Sequence, residues 1–125
     1  MLDISLYSKM GKPPITIDVS ENFYAWLIQS DFAEIGVTRP QTIMIDGEEQ
    51  AVDVIDLTKG KISNRQRLRE FLIEVMAQEV HEMFKRLGET PTKKEYQEAT
   101  YNLKKLQQLK LSIEDEAYQF LQKAS

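Results

Sequence analysis

Apolar and polar residues alternate in two short segments at the start of the chain. Leu2, Ile4 and Leu6 form the first row, and Ile15, Ile17 and Val19 form the second, after the turn sequence Gly11-Lys12-Pro13-Pro14. A period of two residues is typical of a strand with one buried face. The pattern therefore predicts a hairpin of two antiparallel strands over residues 2–19.

A short helix should follow this hairpin. Ser20 is a residue type that accepts a hydrogen bond from the first turn of a helix, and Glu21 would lie in that turn. The apolar face of this helix consists of Phe23, Trp26 and Leu27, widened by Tyr24 and Ile28.

A second hairpin is predicted before residue 60. Two segments rich in Ile and Val, residues 42–45 and 51–57, flank the turn sequence Asp46-Gly47-Glu48-Glu49. Together the two hairpins predict a small antiparallel sheet of about four strands that carries one helix.

From residue 63 the apolar period lengthens to between three and four residues. Ser63-Asn64-Arg65-Gln66 has the form of a capping box at the start of a helix. An apolar row then continues to Gly88, a residue type common just after helix ends: Leu68, Phe71, Leu72, Val75, Met76, Val80, Met83, Phe84 and Leu87. This row predicts a long helix.

Two further helices are predicted after Gly88. Thr92-Lys93-Lys94-Glu95 is a second capping box, and Tyr96, Ala99, Leu103 and Leu106 repeat behind it. The short link predicts that the two long helices are antiparallel neighbours that leave an apolar strip for self-association. Ser112 should cap a short C-terminal helix with the inner face Ile113, Ala117, Phe120 and Leu121. The expected fold class is α+β.

The chain has two general resemblances to other proteins. Residues 87–95 resemble the start of helices in several helix-turn-helix proteins, including sigma factors, but helix capping accounts for the likeness and no functional residue is carried over. In general character the chain is similar to small proteins of phages and mobile elements.

Length and composition suit one domain over residues 1–125. The chain is 42% hydrophobic and 29% charged with a net charge of −4, so we expect a packed core that folds without a metal. The absence of cysteine excludes disulfides, thiolate metal sites and cysteine nucleophiles. No basic leader segment opens the sequence, and no apolar run approaches the ~18 residues of a membrane span. We therefore expect a soluble, cytoplasmic protein without a membrane partner.

The sequence lacks the common catalytic motifs. His81-Glu82-Met83-Phe84-Lys85 begins like the zinc-protease motif but has a lysine in place of the second histidine ligand. The five glycines stand too far apart for a phosphate-binding loop, and no Gly-x-Ser-x-Gly sequence is present. We therefore expect a protein that is not an enzyme and that binds no cofactor and no metal.

Two clusters have more than one interpretation. Asp46, Glu48, Glu49, Asp53 and Asp56 are oxygen ligands that suit Mg²⁺ or Ca²⁺, but their spacing does not follow the EF-hand, and a solvated hairpin rim is favoured. Phe23, Tyr24 and Trp26 are suited to stacking on a base or lining a pocket, but their spacing favours a helix packed on a sheet.

Charge is distributed unevenly along the chain. Residues 1–60 are acidic and strand-rich, with 4 basic and 10 acidic residues, whereas residues 61–125 are helical, with 12 basic and 10 acidic residues. Lys61, Arg65, Arg67 and Arg69 crowd the start of the long helix, where the helix dipole disfavours each cation by ~0.3–1 kcal/mol. A compensating anion is expected: the Glu48-Glu49 hairpin, an acidic protein or a phosphate backbone. A merely solvated cluster is the remaining alternative.

These observations favour a non-enzymatic protein–protein interaction module with a regulatory, inhibitory or assembly role. Its partner would be another protein or a second copy of the chain, and Lys61, Arg65, Arg67 and Arg69 are the candidate contact residues. The alternative is a nucleic-acid-binding protein that uses the basic start of the long helix.

Overall fold

The computed structural model describes residues 2–87 and 92–123. The strands are β1 (Leu2–Tyr7), β2 (Ile15–Val19), β3 (Arg39–Ile45), β4 (Glu48–Asp56) and β5 (Phe120–Gln122). The helices are α1 (Glu21–Ile28), α2 (Asn64–Leu87) and α3 (Lys93–Ile113), and a single 3-10 turn covers Asp31–Glu34. The α+β class is confirmed.

The described strands form one sheet in the order β2-β1-β5-β4-β3, and every neighbouring pair is antiparallel. Both predicted hairpins are present as β1–β2 and β3–β4. The second hairpin is longer than predicted, because β3 begins at Arg39 and β4 at Glu48.

The predicted C-terminal helix is wrong. Ser112 lies inside α3, where its hydroxyl donates to the carbonyl of Gln108. Phe120 and Leu121 belong to β5, which lies between β1 and β4 and raises the strand number from about four to five. The spacing of Ile113, Ala117 and Leu121 is that of one face of a helix, but the backbone of β5 pairs with the strands β1 and β4. Tertiary pairing thus overrides the local pattern.

The helices begin where the capping residues predict. The hydroxyl of Ser20 accepts from the N–H of Phe23 at 3.1 Å, that of Ser63 from Gln66 at 3.2 Å, and that of Thr92 from Glu95 at 3.2 Å. The predicted roles of Gly88 and Pro91 fall outside the described residues.

The helices cover one face of the sheet. Leu6, Leu121 and Ile55 are level with one another on β1, β5 and β4, and all three are buried in the cluster that contains the core residues of the helices. The opposite face carries a smaller cluster of strand residues around Ile43, Val54 and Phe120. Because successive strand residues point to opposite faces, both Phe120 and Leu121 are buried.

The two long helices run antiparallel, since Arg69 near the start of α2 contacts Glu114 just after α3. Leu68 and Leu72 are the fully buried positions of α2, whereas Phe71 is only half-buried and packs its ring 6.3 Å from that of Phe32. No side chain of α2 between residues 73 and 85 is fully buried. The later part of α2 therefore extends past the main core.

Two carboxylates face each other across the first hairpin. Asp3 is the register partner of Asp18, and hydrogen bonding to Asp18, followed by partial burial and the charge of Asp18, raises the pKa of Asp3. A raised pKa in the folded state means that folding favours the protonated form. The stability due to that proton is present below the ordinary carboxyl pKa of 3.8 and is lost as the pH rises through the raised value.

We therefore expect Asp18→Asn to raise the melting temperature at pH 7, because like charges opposite each other destabilise a strand pair. The gain over wild type should shrink as the pH falls and Asp3 becomes protonated. Thermal melts across a pH series measure both effects. Asp53→Asn is the matched control and should give no gain, because Asp53 is an exposed carboxylate of β4 whose register partner is Pro40 rather than a second carboxylate. A melting temperature for Asp18→Asn at or below that of wild type at pH 7 would contradict the expectation.

Candidate functional sites

The basic residues at the start of α2 have different surroundings. Arg65 is half-buried, and its guanidinium donates to the backbone carbonyls of Ile113, of Asp115 at 3.2 Å and of Tyr118 at 2.7 Å. Burial lowers the pKa of Arg65, while the charges of nearby carboxylates oppose that shift. Arg65 therefore holds the end of α3 and the segment that leads into β5.

Arg69 also has a partner within the chain. Its Nε lies 3.3 Å from a carboxylate oxygen of Glu114, which also accepts from Lys110 Nζ at 2.8 Å. The hydrogen bonds from Lys110 and Arg69 lower the pKa of Glu114. Lys61 and Arg67 are exposed, and Arg67 has one long contact of 3.5 Å to Asn64 Oδ1.

The end of α3 compensates the positive charge of Arg65 and Arg69. A helix carries partial negative charge on its last carbonyls, and Arg65 binds one of them, that of Ile113. The Glu48-Glu49 hairpin lies at the far end of β4, and no hydrogen bond or ion pair within the described chain joins it to the four basic residues. Partner binding by Lys61, Arg65, Arg67 and Arg69 stays a prediction.

The N–H groups in the first turn of α2 are satisfied internally. The N–H of Asn64 donates to Lys59 O and that of Arg65 to Leu57 O, both at 2.9 Å. The N–H groups of Gln66 and Arg67 donate to the hydroxyl and the carbonyl of Ser63. This helix start therefore has no free N–H to bind an external anion.

A polar cavity of about 340 Å³ lies beside this helix start. Arg39, Lys59 and Arg67 line it together with two carboxylates, Glu34 and Asp56. Burial raises the pKa of Asp56, but two hydrogen bonds from Thr58, together with the charges of Lys9 and Lys59, lower that pKa overall. Of these three cations the sequence pattern singles out Arg67 alone, because Arg39 is distant in the chain and Lys59 precedes the cluster that begins at Lys61. The mixed charges make this cavity a weak anion site.

Gly36 forms part of the wall of this polar cavity. Its φ is +77°, and a Cβ atom there would lie 3.1 Å from Ile55 Cβ and 3.2 Å from Asn64 Nδ2. Asn64 is nearly fully buried, and its Nδ2 donates to the carbonyl of Asp56. Glycine therefore allows the loop before β3 to pack closely on β4 and on the start of α2.

An aromatic cavity of about 500 Å³ lies between α1 and α3. Phe23 is buried, with its ring centroid 5.7 Å from that of Trp26 and 6.0 Å from that of Tyr101. The Tyr101 hydroxyl accepts from the N–H of Ser20 at 2.8 Å, which ties the start of α1 to α3. The structure thus separates the predicted aromatic face: Phe23 is core, whereas Trp26 is half-buried beside a cavity. Tyr101 carries no sequence signal for this role.

The acidic cluster of residues 46–56 is not gathered into a site. Glu48 and Asp56 stand at opposite ends of β4, about 26 Å apart along an extended strand. Within residues 2–87 and 92–123, no group of three or more histidine or acidic side chains is placed to hold a metal ion. His81 is exposed on α2.

A row of apolar side chains lies on the outer side of α2. Ile73, Ala77, Val80 and Phe84 recur at intervals of four, three and four residues, which places them on one side of the helix. Ile73 is 41% exposed and Phe84 66% exposed, while Ala77 is exposed and Val80 half-buried. We call these four residues the outer row.

Comparison with known protein families, curated protein sequences and solved structures finds no match to this chain. Its class therefore comes from its own structure: an α+β protein with an antiparallel sheet covered on one face by helices. None of the described helices is both long enough and apolar enough to cross a membrane.

Proposed function

We propose that this chain is a non-enzymatic interaction module that pairs with a second copy of itself through the outer row of α2. The observation that supports the proposal is the row itself, in which a ring as large as Phe84 lies largely in water. Burying a phenylalanine side chain stabilises a contact by about 1.5–3 kcal/mol. Such a contact gives the module its assembly or regulatory role.

The spacing of the outer row suits a helix as its partner. Intervals of four and three residues are the pattern by which two helices pack side chains between one another. A two-fold axis near residues 78–79 would place Phe84 of one copy against Ile73 of the second copy, and Val80 against Ala77. The row is therefore complementary to itself when the two α2 helices run antiparallel.

Flanking charges favour the antiparallel arrangement. Glu70 and Glu74 precede the middle of the row on one side, and Lys85 follows it on the same side. An antiparallel pair brings Lys85 of each copy between Glu70 and Glu74 of the other. A parallel pair in register would place the Glu70–Glu74 side of each helix against the opposite side of the other helix, so Lys85 would not reach these glutamates.

We expect light scattering over a concentration series to show a monomer–dimer equilibrium, and Phe84→Ser to shift it to monomer. The substitution removes exposed apolar surface, so the melting temperature at low concentration should not fall. Met10→Ser is the matched control, since Met10 is an apolar residue in the turn of the first hairpin that is even more exposed than Phe84. Monomer at every wild-type concentration would contradict the proposal.

A charge exchange tests the direction of the two helices. Lys85→Glu should weaken the dimer, and adding Glu74→Lys in the same chain should restore it if the helices are antiparallel. Failure of the double variant to restore association would refute the antiparallel arrangement. Loss of the dimer with Phe84→Ser would still support the outer row as the contact surface.

The nucleic-acid alternative now has fewer residues to support it. Arg65 and Arg69 have partners within the chain, so Lys61 and Arg67 are its exposed contacts at the start of α2. An affinity for DNA that falls steeply with added salt would favour this alternative over self-association.

A further inference from the structure

A second feature, independent of the outer row, is the aromatic cavity between α1 and α3. Its volume of about 500 Å³ lies within the range of about 300–1,000 Å³ typical of small-molecule sites. Phe23 forms a buried floor, and the rings of Trp26 and Tyr101 pack against it from different sides. Trp26 is half-buried, so part of its ring is accessible from the cavity.

Three of the residues that line the cavity have neutral amide side chains. Asn22, Gln97 and Asn102 line it, and within the described residues none of their side chains donates or accepts a hydrogen bond. An amide side chain offers a donor and an acceptor side by side, which matches the hydrogen-bonding edge of a nucleobase. Aromatic side chains supply the surface on which a base stacks.

Charge argues against an ionic group at the centre of the cavity. Lys94 and Glu98 both line it, so their charges oppose each other. The Tyr101 ring already has a cation near it, since the ammonium of Lys105 lies 5.6 Å from the ring centre. A neutral ring with a polar edge fits the lining better than an ammonium or a carboxylate.

The mouth of the cavity also argues against a protein helix as its occupant. The exposed rim consists of polar side chains, and the accessible aromatic surface is limited to Trp26 and Tyr101. A helix docks through a row of apolar side chains and needs a longer apolar groove. The cavity is suited to one ring.

We propose that this cavity binds a nucleobase, stacked on Trp26 and hydrogen-bonded by Asn22, Gln97 and Asn102. The bond from Ser20 N–H to the Tyr101 hydroxyl keeps α1 and α3 together and so holds the two walls in place before the base arrives. Both a free nucleoside and an unpaired base of a single-stranded nucleic acid present this chemistry.

Trp26 is the only tryptophan of the chain, so its fluorescence reports directly on the cavity. Titration with adenosine, guanosine, cytidine and uridine should quench it saturably for at least one nucleoside. Single-stranded DNA and RNA oligonucleotides form the second arm. Quenching by oligonucleotides alone would show that the cavity binds a base within a single-stranded nucleic acid. Quenching by nucleosides would show that it binds a free small molecule. Neither arm quenching Trp26 would overturn the proposal.

Variants separate a specific site from a general surface effect. Equilibrium dialysis with the ligand that quenches should show affinity about tenfold weaker for Trp26→Ala, because one stacking surface is lost. Asn102→Ala should weaken it as well and change the preference among the four bases. Tyr24→Ala is the matched control, a half-buried aromatic residue of the same helix that does not line this cavity. Equal affinity for wild type and Trp26→Ala would refute the site.

Discussion

Replacing Arg65 with methionine should lower the free energy of unfolding by about 2–4 kcal/mol, because three backbone carbonyls lose a charged donor. Methionine keeps much of the aliphatic stem, so the loss reports on the guanidinium rather than on packing. Arg65→Lys should recover only part of it, since an ammonium lacks the planar fork that reaches the carbonyls of Asp115 and Tyr118 together. Urea unfolding monitored by circular dichroism measures the change.

Arg69→Met is the matched control for Arg65→Met. Its ion pair with Glu114 joins two side chains that are 51% and 34% exposed, and such surface pairs contribute at most about 1 kcal/mol. Equal effects of the two substitutions would contradict the role assigned to Arg65. Arg65→Glu should destabilise further, and reversing Glu48 and Glu49 should not rescue it, because that hairpin tip lies at the other end of β4.

Leu121→Ala should cost about 3–5 kcal/mol, the range for truncating a fully buried leucine. Leu121 has no exposed surface and lies level with Leu6 on β1 and Ile55 on β4, at the centre of the sheet. The cavity left there has strands on both sides, which limits how far the neighbours relax. Chemical denaturation gives the difference directly.

Leu111→Ala is the control for this truncation, because it makes the same chemical change at a position that is 57% exposed on α3. Its effect should stay within about 0.5 kcal/mol, as for other surface substitutions. A small effect of Leu121→Ala, similar to that of Leu111→Ala, would show that β5 does not occupy the middle of the sheet.

Most of the fold follows from local patterns. The hairpins β1–β2 and β3–β4 join segments that are neighbours in the chain, and each of the three helix caps acts within three residues. Both features can therefore be predicted from the sequence alone. The partners of β5 are β1 and β4, which are far away in the chain, and a strand of three residues is too short to show a period. For this reason the local pattern predicts a helix at Phe120 and Leu121.

The candidate sites were harder to predict for the same reason. Arg65 binds backbone carbonyls about fifty residues away, and a carbonyl has no signature in the sequence. Trp26 and Tyr101 line the same cavity because both rings pack against Phe23, and Tyr101 is about 75 residues away in the chain. The sequence pattern places Val80 and Phe84 in the apolar row of the long helix and does not single out Ile73 or Ala77, so the outer row is recognised only from the exposure of its side chains in the structure.

The position of β5 also bears on how the protein folds during synthesis. The two hairpins form from contacts close in sequence, which takes about 1–10 μs, long before a ribosome has made residues 120–122. Until then β1 and β4 each present an unpaired edge, and such edges are templates for pairing with another chain. The nascent protein is therefore most prone to aggregate just before its central strand emerges, and shielding of these two edges would matter most at that stage.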